Sequence, residues 1–375
     1  MLSELRNKFT ESGFDLCEDV HTRWYNDLIE SEGHVERGTL SKLPEPPTIC
    51  ERVNQNDVHY NGILVGNTKH IWPKFIQWLS IKYYQQKKAA DEEQQDEEEI
   101  WHQIVNDNPF DSFISEALTD ALQSCGIVYR NTYGVTSCEI FWSNGKRSSI
   151  DLSNVPSNID NDSSCTDHQT AGMKAKSEYH CYNENEATFL VSMQRTAKLT
   201  GKYWHDDKGT MLCVHPRFGT WTAFRAVMIF HTNNNTSDEN DVDASQNIII
   251  PNAPPPCRCP VSPDEIEVAK KVMKFALGGA SNTKENSGKT YGCGPGGSSP
   301  LCEYLHNTVT SGNEWSKVSS TMRPWIQLRD CISIGRDLFK YEDDQLLYHY
   351  TKDPDILRRN LLEQGSICSS NNNTV

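Results

Sequence analysis

Met211-Leu-Cys-Val-His-Pro-Arg-Phe-Gly-Thr-Trp-Thr-Ala-Phe-Arg-Ala-Val-Met-Ile-Phe230 holds two apolar runs separated by Pro216-Arg217-Phe218-Gly219. This pattern predicts a β-hairpin over Thr210 to Phe230 with those four residues as its loop. Side chains alternate along a strand, so Trp221, Ala223, Arg225, Val227 and Ile229 share one face, and Thr222, Phe224, Ala226, Met228 and Phe230 share the other. Both faces are largely apolar, which makes the strand a buried one. A guanidinium there needs an anionic partner, because an unpaired charge away from water is very costly. Arg225 therefore meets either an internal carboxylate or an anionic ligand, and the residues alone leave both readings open.

Working outward, apolar spacing from Leu2 to Leu16 and again at Trp24, Tyr25, Leu28 and Ile29 predicts two amphipathic helices. Gly62-Ile-Leu-Val-Gly66 reads as a buried strand, and Trp72 to Tyr84 as a helix behind Pro73. Phe110 to Leu122 carries a helical stripe that Gly126 is placed to stop. Ile127 to Trp142 then alternates as two strands turning near Asn131 to Gly134. Ala187 to Thr200 fits a helix closed by Gly201. The C-terminal third reads as helices over Pro263 to Leu277, Trp325 to Tyr350 and Pro354 to Leu362.

Hydrophobic residues make up 36% of the 375-residue chain and cluster in these segments. Between them, tracts near 85–99, 154–186, 233–246 and 278–299 bury too little apolar area to offset ordering entropy. They read as polar insertions in one domain over 1–365, followed by a disordered tail over 366–375. The formal charge of −15 opposes a phosphate backbone and excludes a nucleic-acid role. Thirteen cysteines without paired spacing suit a reducing compartment. Met1 to Leu16 carries Glu4, Arg6, Lys8, Glu11 and Asp15 and is neither a secretory signal nor a membrane span. A cytoplasmic protein without membrane attachment is the expectation.

The segment Cys213 to Arg225 resembles the signature hairpin of the cytosolic cobalamin-processing family of the CblC type. Gly13-Phe14 with Trp24-Tyr25-Asn26, Gln194 to Gly201, and Trp325 to Leu362 with Arg329-Asp330 are similar to further family segments in the same order. The resemblance implies an α+β fold with a central, largely antiparallel sheet and flanking helices, related to flavin-dependent nitroreductases. It implies base-off binding of cobalamin and removal of its upper axial ligand. Alkyl groups pass to glutathione, and cyanide leaves after reduction by a flavin, FMN or FAD, with NADPH as a reductant source. Handover to an adaptor protein of the cobalamin trafficking route belongs to the same expectation.

Glutathione carries two carboxylates and must place its thiolate against the cobalt-bound carbon, so planar arginine forks suit it as clamps. The matching positions are Arg225, Arg329 and Arg358, with Arg359 as the alternative to Arg358 if the register shifts by one. For the corrinoid pocket the resemblance points to Val191, Ser192, Met193 and Gln194, to His205, Asp206 and Asp207, and to Cys213 and Phe224. No protein side chain is expected to bind a metal. The chain departs from the family at Lys198, where the family has a histidine, and at Tyr203 to Asp207, where the family has a tyrosine-rich run. These departures keep open a non-catalytic cobalamin carrier, and a flavin reductase without a corrinoid role is the other rival.

Four further features carry less. Cys213 in an apolar strand reads as packing rather than as a nucleophile. His215, ahead of Pro216, reads as a hydrogen-bonding turn residue. Asp57-Val-His59-Tyr-Asn-Gly62 matches a D-x-H-x-x-G cobalamin motif outside its structural context, and Gly288-Lys289-Thr290 lacks the first glycine of a phosphate loop. Cys257-Arg258-Cys259, with Cys293 and Cys302, lacks zinc-site spacing and reads as a partly exposed thiol segment.

Overall fold

The computed structural model describes residues 2–45, 61–93, 96–106, 108–133, 135–153, 189–232, 252–279, 317–319 and 321–370. They form an α+β architecture, and the chain divides into two compact units. Unit 1 comprises Met1–Asn67, Ile114–Gly201 and Phe224–Pro255, and unit 2 comprises Thr68–Phe113, Lys202–Ala223 and Pro256–Val375. Among the described residues, no helix is long and apolar enough to cross a membrane.

Unit 1 is built on a five-stranded sheet. Its strands are β1 (Leu16–Val20), β2 (Gly62–Asn67), β3 (Val135–Trp142), β4 (Arg147–Asp151) and β7 (Ala223–Thr232), in the order β1-β2-β7-β3-β4. The β1–β2, β3–β4 and β3–β7 pairs are antiparallel. Between β2 and β7, Phe230 N–H donates to Asn61 O at one end and Arg225 Nε donates to Asn67 Oδ1 at the other. The chain numbers run in opposite senses, so this pair is antiparallel too. Every residue of β2 is buried, as a continuous apolar run in a central strand requires. A Cβ on Gly62 would meet Ile229 Cδ1 at 2.7 Å and Met228 O at 2.9 Å, so β2 and β7 approach where a side chain would keep them apart.

Helices α1 (Leu2–Glu11), α2 (Thr22–Ser31), α5 (Pro109–Tyr133, in this unit from Ile114) and α6 (Met193–Leu199) accompany the sheet. Two expectations change here. Residues Ile127 to Tyr133 continue α5 instead of forming a strand, and β3 turns back through Ser143–Lys146 into β4, with Gly145 at φ 82 and Trp142 N–H donating to Lys146 O at 2.9 Å. The stripe of Leu118, Ala121, Leu122 and Cys125 is buried and carries the helix through Gly126. A mid-helix glycine costs only about 1 kcal/mol against alanine, too little to stop it. Leu16, read as the end of a first helix, instead begins β1, where Leu16, Glu18 and Val20 alternate inward.

Unit 2 holds α3 (Ile71–Glu93), α4 (Glu97–Val105), a two-stranded ladder of β5 (Trp204–His205) and β6 (Cys213–Val214), and α7 (Pro263–Gly279). Helices α8 (Arg323–Asp330), α9 (Arg336–Phe339), α10 (Asp343–Thr351) and α11 (Pro354–Ser370) follow. The expected long helix from Trp325 to Tyr350 is thus three, broken before Arg336 at Gly335, whose φ is 67 and where a Cβ would lie 2.5 Å from Arg217 O, and again at Lys340, whose ψ of 135 is extended. Leu212 and Val214 pack with Val261, Ala269, Val272, Met273, Leu328 and Ile332 in one apolar cluster. The polar tract near 85–99 is helical at both ends, in α3 and α4. The other three tracts lie outside the described residues, apart from 278–279 at the end of α7, and so do His59, Gly288 to Thr290, Cys293 and Cys302. Helix α11 runs past the expected boundary at 366.

The predicted hairpin is the main correction. Its turn closes as expected, with His215 and Gly219 exchanging backbone hydrogen bonds at 3.0 and 2.8 Å. Beyond it the two arms part: β6 pairs with β5, and β7 enters the five-stranded sheet. The carbonyls on either side of Trp221 are held by a helix from later in the chain. Arg329 Nε donates to Thr220 O at 3.1 Å and Nη2 to Thr222 O at 3.4 Å, while Thr220 Oγ1 donates to Arg329 O at 2.7 Å.

Candidate anion and corrinoid sites

Of the three arginines, Arg225 belongs to unit 1, and Arg329 and Arg358 belong to unit 2. Arg225 is half-buried on β7, and its Nε donates to Asn67 Oδ1 at 2.6 Å. Asn67 is fully buried, so a neutral amide receives this bond at the end of β2.

Arg329 stands in the last turn of α8. Its Cζ lies 4.8 Å from the ring centre of Trp221 and 4.6 Å from that of Tyr341, which are themselves 5.8 Å apart, so the guanidinium sits against two adjoining aromatic rings as well as two carbonyls. Among the described residues no carboxylate lies within ion-pair distance of it; neighbouring Asp330 pairs with Lys340 at 3.3 Å instead. Burial opposes the charge, but the phenols of Tyr341 and Tyr350 outweigh it and raise the pKa above the usual arginine value. Trp221 is fully buried and Tyr341 nearly so; Trp221 Nε1 lacks a hydrogen-bond partner, and Tyr341 Oη, which faces Arg329, has no acceptor for its own proton. Buried donors without partners are uncommon and mark places where a ligand or water belongs. Two cations stand beside this indole, Arg329 and Lys340, the latter 5.9 Å from the ring centre.

Arg358, in the first turns of α11, differs. It donates to Glu98 Oε2 at 2.7 Å, lies 5.1 Å above the Trp101 ring, and is 37% exposed. The hydrogen bond to Glu98 is the main reason its pKa is raised. Arg359, the alternative, pairs with Asp344, which also accepts from Asn360 at 2.7 Å. Either position already has its acid.

The expected corrinoid residues fall in two groups. In unit 1, Val191 to Gln194 lead into α6. Leu190 is tied to Ser41 through Leu190 O and Ser41 Oγ, and Ser192 N–H donates to Tyr25 Oη at 3.0 Å. Ser192 caps α6, Met193 is buried, and Gln194 is exposed. Phe224, also in unit 1, is half-buried near the start of β7.

In unit 2, β5 and β6 bring His205 and Cys213 opposite each other. His205 is buried, with Nδ1 3.1 Å from Leu212 O. Asp206 accepts from Gly209 N–H at 3.0 Å and Thr210 N–H at 2.8 Å. Burial alone would raise its pKa, but these bonds prevail and lower it. Asp207 is half-buried beside it. Burial pushes the Cys213 thiol well above the ordinary range, which suits packing and not nucleophilic attack.

His215 Nδ1 accepts from Arg217 and Phe218 N–H at 3.0 and 3.3 Å. Burial, with Lys202 and Arg217 nearby, brings its pKa down to about 4, so it is a neutral turn cap at pH 7. Sequence reasoning missed Trp221, Tyr341 and Tyr350 as site residues. Trp221 stood inside the quoted stretch, but nothing in the sequence tied Tyr341 or Tyr350 to it.

No protein-family model matches the chain, and no curated protein matches it. Among solved structures, the chain is similar to a B12-trafficking protein CblC from C. elegans, described as a human MMACHC homologue. The identity is 12%, covering 95% of this chain and 93% of that one, with a TM-score of 0.44.

Proposed function

We propose that this protein binds cobalamin with its lower base displaced and removes the upper axial ligand, passing alkyl groups to glutathione and releasing cyanide on reduction by flavin. The observation that carries this reading is the Arg329 guanidinium, which has no carboxylate partner among the described residues and has two unpartnered donors beside it. A glutathione carboxylate arriving there neutralises the cation and accepts from Trp221 Nε1 and Tyr341 Oη. Such charge-assisted bonds are about twice as strong as neutral ones. Arg225 serves as a second clamp, its Nε oriented by Asn67. Arg358 joins only by exchanging Glu98 for the ligand, which is feasible because an exposed ion pair is worth about 1 kcal/mol or less.

The corrinoid is held by Val191 to Gln194, Phe224, Cys213 and His205 to Asp207, mainly through packing and backbone groups. Flavin supplies the electrons for cyanide loss, and no side chain is assigned to it here. Handover of the product to an adaptor protein and a cytoplasmic setting complete the proposal.

One observation favours a non-catalytic carrier as the second reading: Asp206 is engaged in capping its own turn and His205 faces Leu212 O, which leaves little polar chemistry at the departures from the family. Mixing the purified chain with methylcobalamin and following the visible spectrum separates the readings. The dealkylase gives the base-off spectrum and loses methyl only when glutathione is added, and Trp221→Phe raises the glutathione concentration needed by about tenfold, equivalent to about 1.4 kcal/mol, with the spectrum of bound corrinoid unchanged. A base-off shift without turnover establishes the carrier. No shift at all removes cobalamin from the account and leaves a flavin reductase.

A further inference from the structure

The segment Cys257-Arg258-Cys259 lies alongside β6, with Cys257 near enough to Cys213 to act on its thiol. Residues 252–260 belong to no helix or strand, and Pro254, Pro255, Pro256 and Pro260 flank the pair. Both thiols are free, with Cys259 exposed and Cys257 half-buried, and Arg258 between them is exposed. Their sulfurs donate only to nearby backbone carbonyls, Cys257 Sγ to Arg258 O at 3.4 Å and Cys259 Sγ to Val261 O at 3.5 Å. Val261 is 6% exposed and packs into the cluster that holds Leu212 and Val214, so the segment is pinned beside β6 at its far end while Cys259 faces solvent. The contrast with Cys125, Cys138 and Cys331 is clear: those three are buried, and burial raises each thiol pKa.

We propose that Cys257 and Cys259 form a thiol–disulfide exchange site whose substrates are low-molecular-weight disulfides, independently of any corrinoid chemistry. Cys259 is the attacking thiol because it is the exposed one. Its thiolate displaces one thiolate from the small disulfide, giving a mixed disulfide on Cys259. Cys257 then loses its proton to solvent and attacks Cys259 Sγ, expelling the second small thiolate. The pair is oxidised to a disulfide and the small disulfide is reduced to two thiols, so atoms and electrons balance.

Closing a ring across one residue requires the Cα atoms to come within the 4.4 to 6.8 Å that disulfides span, roughly the upper limit of an extended pair. The chain must bend at Arg258, and with no ladder or helical bond there the bend breaks no secondary structure. Burial raises the pKa of Cys257, with Cys259 adding to it, which fits the slower resolving role. Arg258 gives the site a preference for anionic disulfides.

The test uses the reduced full chain, equilibrated with defined ratios of glutathione disulfide to glutathione, quenched with acid and alkylated. Trypsin cuts after Arg258, so the peptides bearing Cys257 and Cys259 stay together only when the disulfide joins them. The linked pair is expected in the unaltered chain. Cys257→Ser should stall with glutathione on Cys259, and Cys259→Ser should react about tenfold more slowly. Circular dichroism confirms that both variants fold. The proposal is overturned if the linked pair is missing at every ratio, if Cys257 joins a different cysteine, or if Cys259→Ser reacts at the unaltered rate.

Discussion

Arg329 and Arg358 lie in the same unit, both on helices and both over a buried indole, yet they do different work. Arg358 keeps its charge at the surface, where Glu98 and water share it. Arg329 sits against Trp221 and Tyr341 and donates to two carbonyls, with no acid within ion-pair distance among the described residues. The same residue type, assigned the same role from the sequence, is a loosely held surface ion in one place and a fixed electropositive centre in the other. Burial and partner chemistry make that difference, since a charge in a poorly solvated site interacts far more strongly with whatever approaches it.

Three substitutions sharpen or break this contrast. The largest effect is expected from Arg329→Ala, which leaves Thr220 and Thr222 carbonyls without their charged donor and strips the cation from beside two adjoining rings. A loss of about 3 kcal/mol in urea unfolding is expected. A loss below about 1 kcal/mol would mean that Arg329 does not hold this region together.

An intermediate effect concerns the turn that carries those carbonyls. His215 titrates at about 4 in the fold against 6.5 ordinarily, because burial disfavours its charged form. The unfolded chain therefore binds a proton first as pH falls. The stabilisation is complete above about pH 6.5, declines between 6.5 and 4, and is constant below. His215→Asn should flatten that part of the stability curve relative to the unaltered protein, with the curves measured by thermal unfolding. Parallel curves through this window would exclude His215 as the source. Glu265, whose pKa is about 2, acts in a separate window: burial opposes its charge, and the bonds from Ser333 and Ser262 more than offset this. Its contribution declines as pH falls from about 4.5 towards 2.

The smallest effect belongs to Arg358→Ala. It removes an exposed pair and should cost about 0.5 kcal/mol, less at high salt. If it destabilises as much as Arg329→Ala, the contrast between the two arginines fails.

Much of the fold was legible because the apolar periodicity was strong. Gly62 to Gly66 and Pro263 to Leu277 read as the elements they form to within two residues, and Trp72 to Tyr84 as the apolar part of a helix that runs on to Glu93. Ile127 to Tyr133 did not, because a short apolar run has the same composition in a helix as in a strand, and only the buried stripe before it decided. The turn at Pro216 to Gly219 was legible from its residues, but the fate of its arms was not. Which ladder each joins is set by its partners, β5 for one arm and β3 for the other, which no pattern within the stretch names.

The candidate site divides in the same way. By itself the sequence determined that an arginine-bearing apolar segment exists and that the chain carries a formal charge of −15. Tertiary structure alone decided that Arg329 has no acid partner among the described residues while Arg358 does, and that Trp221 and Tyr341 present unpartnered donors beside the former. The physical reason is that local order is written in the spacing of neighbouring side chains. Solvation and charge pairing depend on residues far apart in sequence, and no local pattern records which of them will meet.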